Sequence, residues 1–123
     1  MSPHHRNIQA LADFFKLLSD STRLRILVLL SVKELCVCEL CGILKLSQPK
    51  ISRHLAKLRD QGLVTDAREG QWVFYHLNAK DQMDAAIIRM LAANHAQYET
   101  LQNDLNVLAV KEKERNLCQR REN

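Results

Sequence analysis

Apolar residues recur at helical spacing through Ile8, Leu11, Phe14, Phe15 and Leu18, which predicts a first amphipathic helix ending near Ser19. Ser19 or Asp20 then stands ready to cap a second helix, Thr22 to Leu30, whose Leu24, Ile26, Leu27, Val28, Leu29 and Leu30 leave it almost no polar face. A helix apolar nearly all round belongs at the centre of a core. A short third helix is read from Val37 to Leu44, with Lys45-Leu46-Ser47 as the turn after it. The fourth starts behind a cap at Ser47 and carries Pro49 in its first turn, where a missing N–H does no harm. It sets Ile51, Leu55 and Leu58 on one face and ends at Gly62 as the C′ residue.

The period then changes. Leu63 to Arg68 and Trp72 to Leu77 are rich in β-branched and aromatic residues and flank Glu69-Gly70-Gln71, the pattern of a two-stranded hairpin. Asn78 is placed to cap a last helix, with Asp81 three residues on as its reciprocal partner. Ile87, Leu91, Asn94, Tyr98, Leu101, Leu105 and Leu108 follow at alternating steps of four and three. Read as one helix from Lys80 to Leu108, that segment would run for about 40 Å, longer than a domain of this mass is wide. It is therefore expected to pack against a second copy, with Asn94 a register-setting polar residue inside the seam. The residues from 111 to 123 mix both charge signs without an apolar stripe and are expected to fray. The fold class expected is mainly α with a small β-hairpin: a winged helix-turn-helix domain over residues 1–110, followed by a flexible tail over 111–123.

Composition agrees with one modest domain, since 123 residues with 46% hydrophobic and 26% charged side chains leave room for a single core. A net charge of +4 and a pI near 9.0 favour nucleic acid as a partner. The N-terminal Met1-Ser2-Pro3-His4-His5-Arg6 has no apolar leader behind it, and no apolar run approaches the length of a membrane span. The protein is expected to be cytoplasmic, with no membrane partner.

Two short helices, a tight turn and a hairpin outline a winged helix, whose second helix can lie in the major groove of DNA. Opposite Ile51, Leu55 and Leu58, the fourth helix shows Lys50, Ser52, Arg53 and Lys57, with Gln48 at its entrance. Gln can bond adenine twice, Arg can do the same to guanine, and Ser can bond base edges or phosphate, so Gln48, Ser52 and Arg53 are read as base readers. Lys50, His54 and Lys57 suit phosphates, and Arg68 and Gln71 on the wing suit the flanking backbone or minor groove. A solvated helix face would carry similar charges. The turn before it and the hairpin after it are what favour DNA.

Three of the four cysteines lie within Cys36-Val37-Cys38-Glu39-Leu40-Cys41, too close for a disulfide framework and suited to metal or redox chemistry. On a helix Cys38 and Cys41 fall about 60° apart, whereas Cys36 and Cys38 fall about 160° apart, so three thiols cannot converge from an undistorted helix. Cys36 is instead placed at the N-cap, with Glu39 at the third helical position of a capping box. A helix N-terminus favours thiolate, and three sulfurs without an adjacent His or carboxylate ligand suit pyramidal As(III) or Sb(III) better than tetrahedral zinc.

Other readings stand beside this one. The cysteines can be small buried hydrophobes, or the sensor of a thiol-redox or persulfide signal that pairs Cys36 with Cys38 or uses Cys118. Cys118 otherwise reads as an incidental free thiol, and His4, His5 and His95 as surface or interface residues. Trp72, Phe74 and Tyr75 read as wing packing rather than a platform for bases. An oxidoreductase would need a βαβ pattern or a cofactor loop that the chain does not show, so no enzyme and no cofactor are expected. An architectural DNA binder would leave the thiol cluster without a purpose.

The run Ser47-Gln48-Pro49-Lys50-Ile51-Ser52-Arg53-His54-Leu55, followed by Leu58, Gly62-Leu63, Gly70-Gln71-Trp72-Val73 and Tyr75-His76-Leu77, resembles the ArsR/SmtB family of metal-sensing repressors over about Ile8 to Leu108. The resemblance implies a homodimer built through the first and last helices, an apo-protein bound to an imperfect palindrome in double-stranded operator DNA, and release on binding an inducer. Glu34 to Cys41 is similar to the arsenite-binding segment of the family's arsenical-resistance members, which implies that Cys36, Cys38 and Cys41 are the metal ligands for As(III) or Sb(III). The cadmium and lead sensors add cysteines in an N-terminal extension that this chain lacks. The zinc sensors' last-helix site is not reproduced by Asp81-x-Met83, Asp84-x-Ala86 and His95-x-x-Tyr98.

Overall fold

The computed structural model describes residues 6–113. Helix α1 (Ile8–Leu18) starts at Asn7, whose side chain accepts the Ala10 N–H at 2.8 Å, and buries Phe14 and Leu17. Helix α2 (Ser21–Val32) is capped by the Asp20 carboxylate, which takes the Arg23 N–H at 3.0 Å. Its Ile26, Leu27, Val28, Leu29 and Leu30 are all buried, as expected of the helix around which the others assemble.

A short strand β1 (Leu35–Cys36) leads directly into α3 (Val37–Leu44). Lys45 ends α3 in the left-handed region, φ 57°, and its N–H returns to the Cys41 carbonyl at 2.8 Å. Helix α4 (Gln48–Asp60) begins behind Ser47 with Pro49 in its first turn. It ends in a Schellman motif: the Leu63 N–H reaches the Leu58 carbonyl and the Gly62 N–H the Arg59 carbonyl, both at 2.9 Å, and Gly62 takes a φ of +79°.

Strands β2 (Val64–Glu69) and β3 (Trp72–Leu77) pair antiparallel from Val64 with Leu77 to Glu69 with Trp72. Gly70 alone of the two loop residues has positive φ, +63°, as a type II′ hairpin demands. The sheet has a strand that the sequence pattern did not announce. β1 pairs with β3 through Leu35–Tyr75 and Cys36–Phe74, giving the order β1-β3-β2.

The single long last helix is corrected by the structure. The segment is divided into α5 (Gln82–Ala93), a 3₁₀ turn (His95–Gln97) and α6 (Glu99–Lys113). Side chains intercept the backbone at the break: Asn94 Nδ2 donates to the Met90 carbonyl and His95 Nδ1 meets the Ala92 carbonyl, each at 2.8 Å. Such local bonds compete with helix continuation. Asn94 therefore ends a helix and does not sit in a seam. The start of the segment moves as well, because Asp81, not Asn78, is the cap and accepts the Met83 and Asp84 N–H groups. Asn78 donates its N–H to the Leu63 carbonyl at 2.8 Å and closes the exit of the sheet.

Helix α6 packs on α2 and α3, burying Leu101, Asp104 and Leu108. The length of an unbroken helix thus gives no argument for a dimer. No helix among the described residues is long and apolar enough to cross a membrane.

Candidate nucleic-acid interface and thiol site

Helix α4 turns Ile51, Leu55 and Leu58 wholly into the core and leaves Gln48, Lys50, Arg53 and Lys57 exposed, with Ser52 and His54 half-buried. The Gln48 amide lies 3.5 Å from the Ser52 hydroxyl, so these two proposed readers share one edge of the helix start. Arg53, the next residue along α4, is exposed. On the wing, Arg68 folds over the hairpin turn with Nη1 3.5 Å from the Gly70 carbonyl, and Gln71 is exposed at the tip. Arg59 and Asp66, 3.2 Å apart, join the end of α4 to β2.

His54 is held more closely than its neighbours. Its Nδ1 lies 3.2 Å from Arg23 Nη1 and 3.8 Å from the Asp20 carboxylate, at the start of α2. Burial lowers the His54 pKa, and the cations Arg23, Lys50 and Arg53 lower it further against the opposing pull of Asp20. Sequence reasoning named His54 and missed Arg23, since residues 31 positions apart leave no periodic signal.

The thiol site is built at the β1–α3 junction. Cys36 is the last residue of β1 and the N-cap of α3, and its N–H donates to Glu39 Oε1 at 2.9 Å, one arm of the expected capping box. Glu39 is 1% exposed and Cys36 2%, whereas Cys41 is half-buried and Cys38 exposed. Cys36 and Cys41 are free thiols, and Cys38 is disulfide-bonded. Cys118, His4 and His5 lie outside the described residues.

The expectation that the helix start would favour thiolate at Cys36 is reversed. Burial raises its pKa, the Glu39 carboxylate adds to the rise, and the N–H groups of Glu39 and Cys38 only partly offset it. Burial also raises the Cys41 pKa. Among the described residues no three His, Cys, Asp or Glu side chains are gathered as a metal site. The soft three-sulfur donor set fits a trivalent metalloid chemically, but in this geometry Cys36 faces the core while Cys38 faces solvent.

Residues 20–66 match the model of the arsR family of bacterial regulatory proteins. The chain is 48% identical over 94 residues to the arsenic resistance transcriptional regulator ArsR1 of Pseudomonas putida, a match covering 74% of this chain and 73% of that one. It is 60% identical over 67 residues to the arsenical resistance operon repressor of Escherichia coli, covering 54% of this chain and 57% of the relative. Among solved structures, HlyU from Vibrio cholerae superimposes with a TM-score of 0.65 at 38% identity, covering 77% of this chain and 98% of that one. The mainly helical domain with its three-stranded wing is thus a winged helix-turn-helix.

Proposed function

The chain belongs to the arsR family of bacterial regulatory proteins and is a transcriptional regulator, not an enzyme; from that premise we propose that it is an arsenic-responsive repressor whose dimer holds operator DNA in the apo form and releases it when Cys36, Cys38 and Cys41 capture As(III) or Sb(III). The observation that carries this reading is the placement of the thiols. They occupy the cap and first turns of α3, and Lys45-Leu46-Ser47 is all that separates α3 from the DNA-reading helix. The names of the arsenic-resistance relatives support the inducer, and a cytoplasmic location follows from the regulator's task.

In this reading Gln48, Ser52 and Arg53 address bases, while Lys50, His54, Lys57, Arg68 and Gln71 hold the backbone. The dimer rests on apolar side chains that a lone chain leaves in water: Ile8 and Phe15 on α1, and Met83 and Met90 on α5. With the Cys38 disulfide reduced, arsenite can exchange its three hydroxyls, lost as water, for the three cysteine sulfurs. Cys36 can join Cys38 and Cys41 only by leaving the buried cap, which opens the first turn of α3 and displaces the helix next to it.

The test is titration of operator DNA with the reduced protein, with and without arsenite, repeated with antimonite, zinc, cadmium and peroxide. Release by arsenite and antimonite at stoichiometric concentration is expected. Release by peroxide alone would replace the metalloid with a redox signal, and failure of the apo-protein to bind DNA would end the proposal.

A further inference from the structure

Arg23 lies in the first turn of α2 and reaches both α1 and α4. Its Nε donates to the Leu17 carbonyl at 2.8 Å and its Nη2 reaches the Lys16 carbonyl at 3.4 Å, both at the end of α1. Its own N–H is taken by the Asp20 carboxylate, and its Nη1 lies 3.2 Å from His54 Nδ1 on α4. One guanidinium therefore ties the end of α1 and the start of α2 to the middle of the DNA-reading helix.

Chemistry fixes the direction of the last contact. A guanidinium has only donors, so a hydrogen bond at this contact requires Nδ1 to accept, with the ring neutral and its proton on Nε2; the Asp20 carboxylate, 3.8 Å from the same nitrogen, is beyond hydrogen-bond reach. His54 stands between Lys50 and Lys57 at steps of four and three, which puts the three residues on one stripe of α4. That stripe is the one assigned to phosphates.

We propose that Arg23 is a positioning residue for operator binding, holding His54 in the Nε2–H tautomer so that the ring presents one fixed donor to a DNA phosphate between Lys50 and Lys57. The inference rests on α4 being the DNA-reading helix. Arg23 acts through His54 and touches no base. Its guanidinium also sets how far α4 stands off the α1–α2 corner, because the carbonyls of Lys16 and Leu17 fix the other end of the same rigid group.

The tautomer can be read without DNA, by two-dimensional nitrogen–proton NMR of the imidazoles in the full-length reduced protein. A single Nε2–H signature for His54 at neutral pH is expected; a mixture of tautomers, or Nδ1–H, overturns the proposal whatever the protein does with DNA. Operator affinity is then measured for Arg23→Ala, His54→Ala and the double variant, with thermal unfolding of each. Loss of one charge-assisted bond predicts about a tenfold weakening for each single variant, and a double variant no weaker than His54→Ala alone. Additive losses overturn the proposal. Should Arg23→Ala not fold, the tautomer of the wild-type protein and the affinity of His54→Asn, which keeps an acceptor for Arg23 but lacks the outer donor, decide it. His54→Asn must then be as weak as His54→Ala. If the wild-type protein does not bind operator at all, the DNA-reading assignment of α4 fails, and the tautomer result stands apart from it.

Discussion

Arg25 grips Asp104 with two parallel hydrogen bonds, Nε to Oδ2 at 2.8 Å and Nη2 to Oδ1 at 2.9 Å, and so fastens α6 to the central helix α2. The Asp104 side chain is 3% exposed and the Arg25 side chain 23%. The hydrogen bond to Asp104 raises the Arg25 pKa against the cost of burial. Removing one partner of such a pair strands the other away from water. Arg25→Ala is expected to cost about 3 kcal/mol, whereas replacing both residues together with apolar ones should cost far less. Urea unfolding of the two variants checks this, and equal losses would show that leaving Asp104 unpaired carries no penalty of its own.

Acid should loosen the α2–α4 contact through His54. Its pKa in the fold lies below its ordinary value of 6.5, because burial and the neighbouring cations disfavour the charged ring. Between the folded and unfolded values the unfolded chain binds more protons, so stability rises with pH. The contribution is complete above the unfolded value and disappears as pH falls through the folded one. The urea midpoint should therefore drop between pH 7.5 and pH 5, and His54→Asn should flatten that part of the curve. Parallel curves for the two proteins would assign the slope to other groups.

Reading and anchoring should separate by mutation on α4. Arg53→Ala is expected to weaken operator binding by about 1–3 kcal/mol and to relax base preference at one position in each half-site. Lys57→Ala should weaken operator and random DNA alike and reduce the salt slope by about one. Competition titrations at several salt concentrations distinguish the two patterns, and identical behaviour of both variants would contradict the assignment.

The parts of this fold legible in the sequence are those where side-chain period and chain chemistry agree. Gly62 and Pro49 mark the ends of α4, and the apolar face of Ile51, Leu55 and Leu58 predicts which residues are left outside. The apolar period continued unbroken through Asn94, but period reports which face is buried, not whether the backbone persists. Asn94 and His95 bond to carbonyls of the preceding turn and end α5 there. Strand β1 is two residues long, too short for alternation to show. At the thiol site spacing located the N-cap and the capping box at Cys36 and Glu39. It could not reveal that β1 pairs with β3 and seals Cys36 against the core, which reverses the direction of its pKa shift. Arg23 was invisible because its contacts join three elements.

The switch gives the last prediction. Cys36 lies buried at the cap of α3, while Cys38 and Cys41 stand on the more accessible side of the same helix. Binding of all three to one As(III) is therefore expected to break the bond from the Cys36 N–H to Glu39 and to pull the cap residue out of the β1–β3 pair. Hydrogen exchange should report this as lost protection confined at first to Cys36 through Leu40, spreading to the start of α4 across Lys45-Leu46-Ser47. In a dimer with half-sites about one helical turn of DNA apart, a shift of either reading helix spoils the fit of both. Induction is then a difference in affinity between two shapes, and operator DNA must weaken arsenite binding by the same factor by which arsenite weakens operator binding. Cys36→Ser retains a good cap and should bind operator as the wild type does while losing the arsenite response, because a hydroxyl caps a helix but does not ligate soft arsenic. Cys38→Ser and Cys41→Ser should likewise repress without responding. Arsenite that binds free and DNA-bound protein equally well, or a Cys36→Ser variant that still releases operator, would show that the signal does not pass through the cap of α3.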